Sequence, residues 1–444
     1  MDNFQDILSL MSTCRDLRAA GLPYIFNSRM EICCDKKLAS ICKFLLVDAP
    51  RRLLFLRQLA VLTYPEKPET VDLYLQVLQQ ARHLEDIEVW CGLPSIDPRI
   101  HTAVSSLTGI KTLTVRNLLF REAGLLRRMQ SPVRKVDISF QYYDQPIDPI
   151  WLLSKLAPTL ESLRVVLGTQ QRAFPQAVYP SLRTLVAESC VFERIAPLVD
   201  AFPNLRDLTI FSYRDEESSE EVIRDRRENL EAQRTRSWGP MDRVLGDVLM
   251  LYRLGLSCSI RRLEIPWLES TRADSWTPSC KDMFSSILSD TRPSVLTLIL
   301  RPATFEISQF PSFIAQAPVT LGKLIITTYI TGSTDAASAI DHIITALKPL
   351  KITHFVLRVK WYNCRRGPPA QDMHPTEQYL KRTNTKELAQ RAMHVSASLR
   401  YFLVDLAGQD MTYWSFEEST GPDERTIREL PATMAESVMV GERF

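Results

Sequence analysis

The residues most able to do chemistry in this chain are scattered rather than assembled. Six histidines stand singly at 83, 101, 342, 354, 374 and 394, none beside a sequence-local metal partner. Among nine cysteines there is no Cys-x-x-Cys pair, and only Cys33 and Cys34 lie close together. No Gly-x-Ser-x-Gly elbow and no His-Glu-x-x-His motif occurs. The 14 glycines are never two apart, which argues against a dinucleotide fingerprint or a phosphate-cradling loop. The sequence therefore predicts no catalytic residues, no cofactor and no metal, and a protein that is not an enzyme.

Two segments carry concentrated charge. Residues 358–366, Arg358-Val-Lys360-Trp361-Tyr362-Asn363-Cys364-Arg365-Arg366, interleave bases and aromatics as a single-strand nucleic-acid surface does. The chain as a whole balances 54 basic against 52 acidic residues, a formal net charge of +2. No general attraction to nucleic acid or anionic lipid follows from that balance. The expected role of the segment is to anchor a loop after a strand or to contact an acidic partner; no nucleic acid is predicted. Residues 214–236 mix acids (Asp215, Glu216, Glu217, Glu220, Glu221, Asp225, Glu228, Glu231) with arginines, and Val222, Ile223 and Leu230 are the only large apolar members. That composition predicts an insertion at 214–243, an exposed helix or loop outside the core.

The start, MDNFQD, is acidic and polar, unlike the basic start of a signal peptide. The apolar stretch at 44–62 is cut by Asp48, Arg51, Arg52 and Arg57, too charged for a membrane span. With no cysteine framework, the expected location is cytoplasmic or nuclear, with no membrane partner.

What must position any functional residue is a repeat. The template apolar-x-x-apolar-x-apolar reads Leu56, Leu59, Val61, then Leu84, Ile87, Val89, then Ile110, Leu113, Val115. It recurs at Val133, Val136, Ile138, at Leu160, Leu163, Val165, at Leu182, Leu185, Ala187, and at Leu205, Leu208, Ile210. After a gap it resumes at Ile260, Leu263, Ile265, then Val295, Leu298, Leu300, then Leu321, Leu324, Ile326, then Ile352, Phe355, Leu357 and Leu399, Phe402, Val404. Most intervals lie in or near the ~20–29 residues of leucine-rich repeats. The last two positions, spaced by two, share one face of a short strand. Helical patterns such as Val71, Leu75, Leu78 and Ile340, Ile344, Leu347 precede the strands. Pro158, Pro180, Pro203 and Pro293 each stand two residues before the first apolar position, where proline ends the helix.

One such unit cannot bury its apolar stripe, whereas a stack can. The predicted fold is therefore α/β: a leucine-rich-repeat-like solenoid with a curved parallel sheet on the concave face and helices outside. Its expected extent is 46–410, after an N-terminal segment 1–45 and before a C-terminal cap or tail 411–444. The buried Asn or Cys that follows the strand in the strict repeat is matched only by Cys190, so irregular turns are expected. Residues flanking the last two apolar positions should project from the concave face. That geometry nominates Glu88, Trp90, Thr114, Arg116, Asp137, Arg164, Glu188, Phe211, Arg301 and Arg358 as a protein-binding surface, mixed in charge and aromatic as interfaces are.

Residues 6–26, DILSLMSTCRDLRAAGLPYIF, place Leu10, Cys14 and Leu17 at helical spacing, with a stop expected near Gly21 and Pro23. This segment resembles the second half of an F-box, in which a leucine-rich helix runs into a cysteine-arginine turn and a second short helix. Cys14, Arg15 and Leu17 match that half, while the box's opening leucine-proline motif has no counterpart. Together with irregular repeats, the chain resembles the F-box/leucine-rich-repeat proteins abundant in mushroom-forming fungi. The resemblance implies the substrate-recognition subunit of a cullin-RING ubiquitin ligase. It also implies contact of Leu8, Met11 and Leu17 with the adaptor subunit. The alternative is a repeat scaffold for protein–protein interaction, with this segment acting as a cap.

Overall fold

The computed structural model describes residues 12–27, 29–63, 65, 67–91, 97–119, 123–140, 152–172, 177–211, 219–266, 279–301, 306–315, 317–332, 334–361, 374–418 and 425–433. The chain forms two compact units, Met1–Arg214 and Asp215–Phe444.

In the first unit the order is α1 (Arg15–Asn27), β1 (Met30–Ile32), α2 (Asp35–Val47), α3 (Ala49–Arg52), β2 (Gln58–Val61), α4 (Pro68–Gln80), β3 (Asp86–Trp90) and α5 (Pro98–Ser105). It continues through β4 (Thr112–Leu118), α6 (Gly124–Arg128), β5 (Lys135–Phe140), β6 (Ser162–Arg172), β7 (Thr184–Val191), α7 (Ala196–Ala201) and β8 (Asp207–Phe211). Each strand pairs in parallel with its sequence neighbour.

The second unit runs α8 (Ser219–Thr235), β9 (Met241–Gly246), α9 (Val248–Leu254), β10 (Ile260–Ile265), α10 (Cys280–Thr291), β11 (Val295–Leu300), α11 (Phe310–Ile314) and β12 (Lys323–Ile330). After these come α12 (Ala336–Thr345), β13 (His354–Trp361), α13 (Pro375–Arg382), α14 (Thr385–Val395), β14 (Tyr401–Leu406), β15 (Thr412–Glu418) and β16 (Arg425–Glu429). Strands β9 to β14 are parallel, and β15 and β16 close the end of the unit as antiparallel additions. Both units are runs of an α/β solenoid.

Every residue of the apolar template is buried. Ile87, Leu113, Val136, Leu163, Leu185 and Leu208 stand in one register row, and Val89, Val115, Ile138, Val165, Ala187 and Ile210 in the next. Large side chains of this kind stabilise by ~1.5–3 kcal/mol each when buried. In the second unit the register corrects the reading at β11: Leu263 pairs with Leu296 and Ile265 with Leu298, so the true repeat positions are two residues earlier than assigned. A slip of two keeps the same face inward, so hydrophobic pattern alone cannot detect it.

Two repeats escaped the template. Strand β1 pairs Met30 with Leu59 and Ile32 with Val61, so the stack already begins inside 1–45. Strand β9 pairs Val244 with Leu263, but its third position is Gly246, which breaks the apolar signature. Helix α1 also runs through Gly21 and Pro23 rather than stopping there. Proline loses its own N–H bond and its ring crowds the carbonyl four residues back, but packing offsets this: the last turn carries buried Phe26, whose ring centroid lies 6.1 Å from that of Phe44.

The expected exposed insertion is instead a repeat helix. In α8, Val222, Asp225, Arg226, Asn229 and Gln233 are buried. Arg253 donates to Asp225 Oδ2 from Nε and Nη2 at 2.8 and 2.6 Å, both side chains being only 3% exposed. Arg226 donates to the Tyr252 carbonyl at 2.8 Å, Asn229 to that of Arg253 at 2.9 Å, and Gln233 to that of Gly255 at 2.7 Å. The last carbonyls of a helix have no intrahelical partner. The polar face of α8 supplies partners for those of α9, and polarity here is therefore a packing device rather than a mark of exposure. Gly255 ends α9 at φ 55°, and a Cβ there would meet Leu230 Cγ at 3.0 Å.

A second polar device lies where five of the strands begin. Thr159 Oγ1 donates to the Val133 carbonyl at 3.0 Å, Ser181 to that of Pro158 at 3.0 Å, and Asn204 Nδ2 to that of Pro180 at 2.9 Å. Ser294 donates to the Arg261 carbonyl at 2.9 Å and Ser398 to that of Ile352 at 2.9 Å. Each reaches back to an earlier repeat. This ladder satisfies turn carbonyls in place of the Asn or Cys that the strict repeat keeps after the strand.

Candidate protein-interaction face

Along β5 and β8, burial alternates strictly, so one sheet face lies against the core and the other is left open. The open face carries the residues that flank the template positions, as the alternation of side chains requires.

In the first unit this face is a ladder of opposite charges. Arg29 pairs with Glu88; Arg116 Nε donates to Glu88 at 3.2 Å and its two terminal nitrogens grip Asp137 at 3.0 Å each. Arg164 lies 3.8 Å from Asp137 and 2.9 Å from Glu188. Five nominated residues (Glu88, Arg116, Asp137, Arg164, Glu188) therefore meet one another. Glu88 departs from expectation: with residue exposure of 5% it is buried between two arginines, not presented to solvent, and Thr114 is buried as well. A buried carboxylate needs such partners, because desolvating an unpaired charge costs several kcal/mol. Trp90, 37% exposed, stands opposite Arg116 in the register, and Phe211 is half-buried opposite Glu188. Arg29 was missed because it precedes a three-residue strand with no template match.

The second unit's open face has a different character. Arg243 holds Glu264 through two bonds of 2.8 Å, and Lys360 holds Asp405 at 2.7 Å. Thr297, Ile325, Val356, Leu403 and Tyr413 form one register row. Arg358 is exposed, and Arg301 sits with its guanidinium 6.0 Å from the Tyr329 ring centre. Trp361 and His374 stack at 5.1 Å, and His354 and Tyr401 at 4.9 Å. The nominated residues thus fall into two sets, Glu88 through Phe211 in one unit and Arg301 with Arg358 in the other.

Of the adaptor candidates, Leu8 and Met11 lie outside the described residues. Leu17 is 42% exposed on α1, whose first turn is held by the Leu17 N–H donating to Cys14 Sγ at 3.4 Å. Tyr24, Phe44, Val47 and Leu54 are also exposed in this N-terminal part, with Arg52 over the Phe44 ring at 4.0 Å.

Titration behaviour follows local contacts. The hydrogen bond from Lys111 holds the Glu85 carboxyl below the usual carboxylate range at the rim of the first unit. Burial lowers the pKa of His101, assisted by Arg128. Among the described residues no group of three or more His, Cys, Asp or Glu is placed to hold a metal, and no helix is long and apolar enough to cross a membrane.

No protein-family model and no curated protein matches the chain. Among solved structures it is similar to a chain in the crystal structure of the Rad7 and Elc1 complex in yeast. Identity is 12% and the TM-score 0.31, over 73% of this chain and 91% of that one. The solenoid assignment rests on the strands and their register alone.

Proposed function

We propose that the protein is a recognition module that binds another protein on its open sheet face, as the substrate-recognition subunit of an F-box-type cullin-RING ubiquitin ligase. The observation that carries the binding reading is the uncovered face itself. An all-parallel sheet is ordinarily covered on both faces. Here β5 and β8 each keep one face of partly exposed residues, and Trp90 on β3 is exposed. The mutual pairing of Glu88, Arg116, Asp137, Arg164 and Glu188 fixes their rotamers before any partner arrives, which reduces the ordering cost of binding. Trp90 and Phe211 are the anchors, since aromatic residues dominate interface energetics.

The ligase part is supported by the N-terminal segment: an interruption of the helix at Cys14, a helix beginning at Arg15, and exposed Leu17 and Tyr24. The test is affinity purification of the full chain with quantitative mass spectrometry, comparing it with Trp90→Ala/Phe211→Ala and with Leu17→Asp/Tyr24→Asp. The first variant should lose substrate proteins and keep the adaptor, and the second should do the reverse. Deleting residues 1–26 is a poorer test, because it removes the buried Phe26. An unchanged partner set in the first variant would overturn the binding face. An adaptor never recovered would leave a scaffold without a ligase role.

A further inference from the structure

The open face of the second unit assigns a chemistry to its partner: we infer that it takes an extended acidic segment of another protein. This rests on the reading of the open face as a binding surface and adds the partner's charge. Cations at open-face positions are Arg243, Arg262, Arg301, Arg358, Lys360, Arg428 and the buried Lys323, against the carboxylates Glu264, Asp405 and Glu417 among the described residues. Glu264 and Asp405 are already engaged, one by Arg243 and one by Lys360.

Arg358 is exposed and makes no ion pair with a carboxylate among the described residues, Asp405 opposite it in the register being held by Lys360, and Arg262 Nε is buried without a hydrogen-bond acceptor among them. A buried guanidinium N–H left unmade costs ~1–3 kcal/mol, and a carboxylate delivered by a partner would recover that energy. Charge in the first unit differs: every arginine of its ladder is bonded to an acid.

Geometry selects an extended segment. Arg262 lies on β10 and Arg358 on β13, three strand steps across and four residues further along, about 20 Å apart at ~4.8 Å per step and ~3.3 Å per residue. An extended chain of roughly six residues spans that distance. Between them run Thr297 and Ile325, half-buried and uncharged, against which aliphatic side chains of the segment would pack. Nucleic acid fits less well. Single strands need a continuous cationic track and free aromatic platforms, whereas Trp361 is stacked with His374, Tyr401 with His354, and Tyr329 with Arg301.

The test measures fluorescence anisotropy of the full-length chain with labelled peptides of about ten residues, enough to cross the face. One is built from Glu, Leu and Ser; a second replaces every Glu with Gln; a third probe is an oligothymidylate of similar length. The acidic peptide should bind at least about tenfold more tightly than its amide counterpart, and the preference should shrink as salt rises. Arg262→Gln/Arg358→Gln, confirmed folded by circular dichroism, should abolish the preference, while Trp90→Ala should leave it intact. Equal binding of the two peptides, binding of neither, or tighter binding of the oligonucleotide would each overturn the inference. None of these results touches the Trp90/Phe211 experiment, so the two readings fail separately.

Discussion

Asp225→Ala tests whether the charged run is a structural helix. The substitution removes the carboxylate that pairs with Arg253, whose side chain is 3% exposed and donates twice to one oxygen at 2.8 and 2.6 Å. An uncompensated guanidinium is then left buried, which costs about 3–5 kcal/mol. For a unit the size of Asp215–Phe444, 1 kcal/mol corresponds to ~2–4 °C in Tm, so the second unit should melt about 6–20 °C lower. Replacing both partners, Asp225→Leu with Arg253→Met, should recover most of this, because a buried pair exchanged for apolar residues is often near neutral. Glu220→Ala, on the exposed side of the same helix, should stay within about 0.5 kcal/mol. The assay is differential scanning calorimetry with urea titration of all four proteins. If Asp225→Ala lowers the midpoint by less than about 2 °C, the Asp225–Arg253 pair does not fasten α8 to α9 and the insertion reading returns.

Other consequences can be measured with the same preparations. Thr159→Val and Asn204→Ala should each lose about 1 kcal/mol by urea denaturation. Being two repeats apart, they should add to within about 0.5 kcal/mol; strong non-additivity would refute a ladder of independent rungs. His101 is held below its ordinary value of 6.5 by burial. Its contribution is therefore complete above about 6.5 and is lost as pH falls below, because the unfolded chain takes up a proton that the folded one resists. His101→Gln should flatten that acid-side decline, and an unchanged slope would show that His101 does not cause it. Iodoacetamide near pH 8 should label exposed Cys14, Cys33 and Cys34. Cys42, pushed up to about 12 by burial, Cys258, up to about 11, and Cys190, raised further still, should react only after denaturation, as read by peptide mass spectrometry.

The sequence determined the solenoid because its evidence is local. A strand two apolar residues wide, a proline before it and a helix ahead of that repeat within a short window, and each template side chain is buried where the pattern says it must be. It also located most of the open face, since alternation along a strand needs no knowledge of neighbours. Signals present but unread were the Ser, Thr or Asn after each boundary proline, as in Pro158-Thr159, Pro180-Ser181 and Pro203-Asn204. Only tertiary structure decided the rest. Register at β11 is ambiguous by two residues because either choice buries the same face. Helix α8 looks solvated because composition records its charges, not that Arg253 and the end of α9 lie against them. Glu88 looks exposed by parity, yet Arg29, just ahead of β1, and Arg116 on β4 close over it. Charge pairing across strands depends on which repeats are neighbours, and that is a property of the stack rather than of any one repeat.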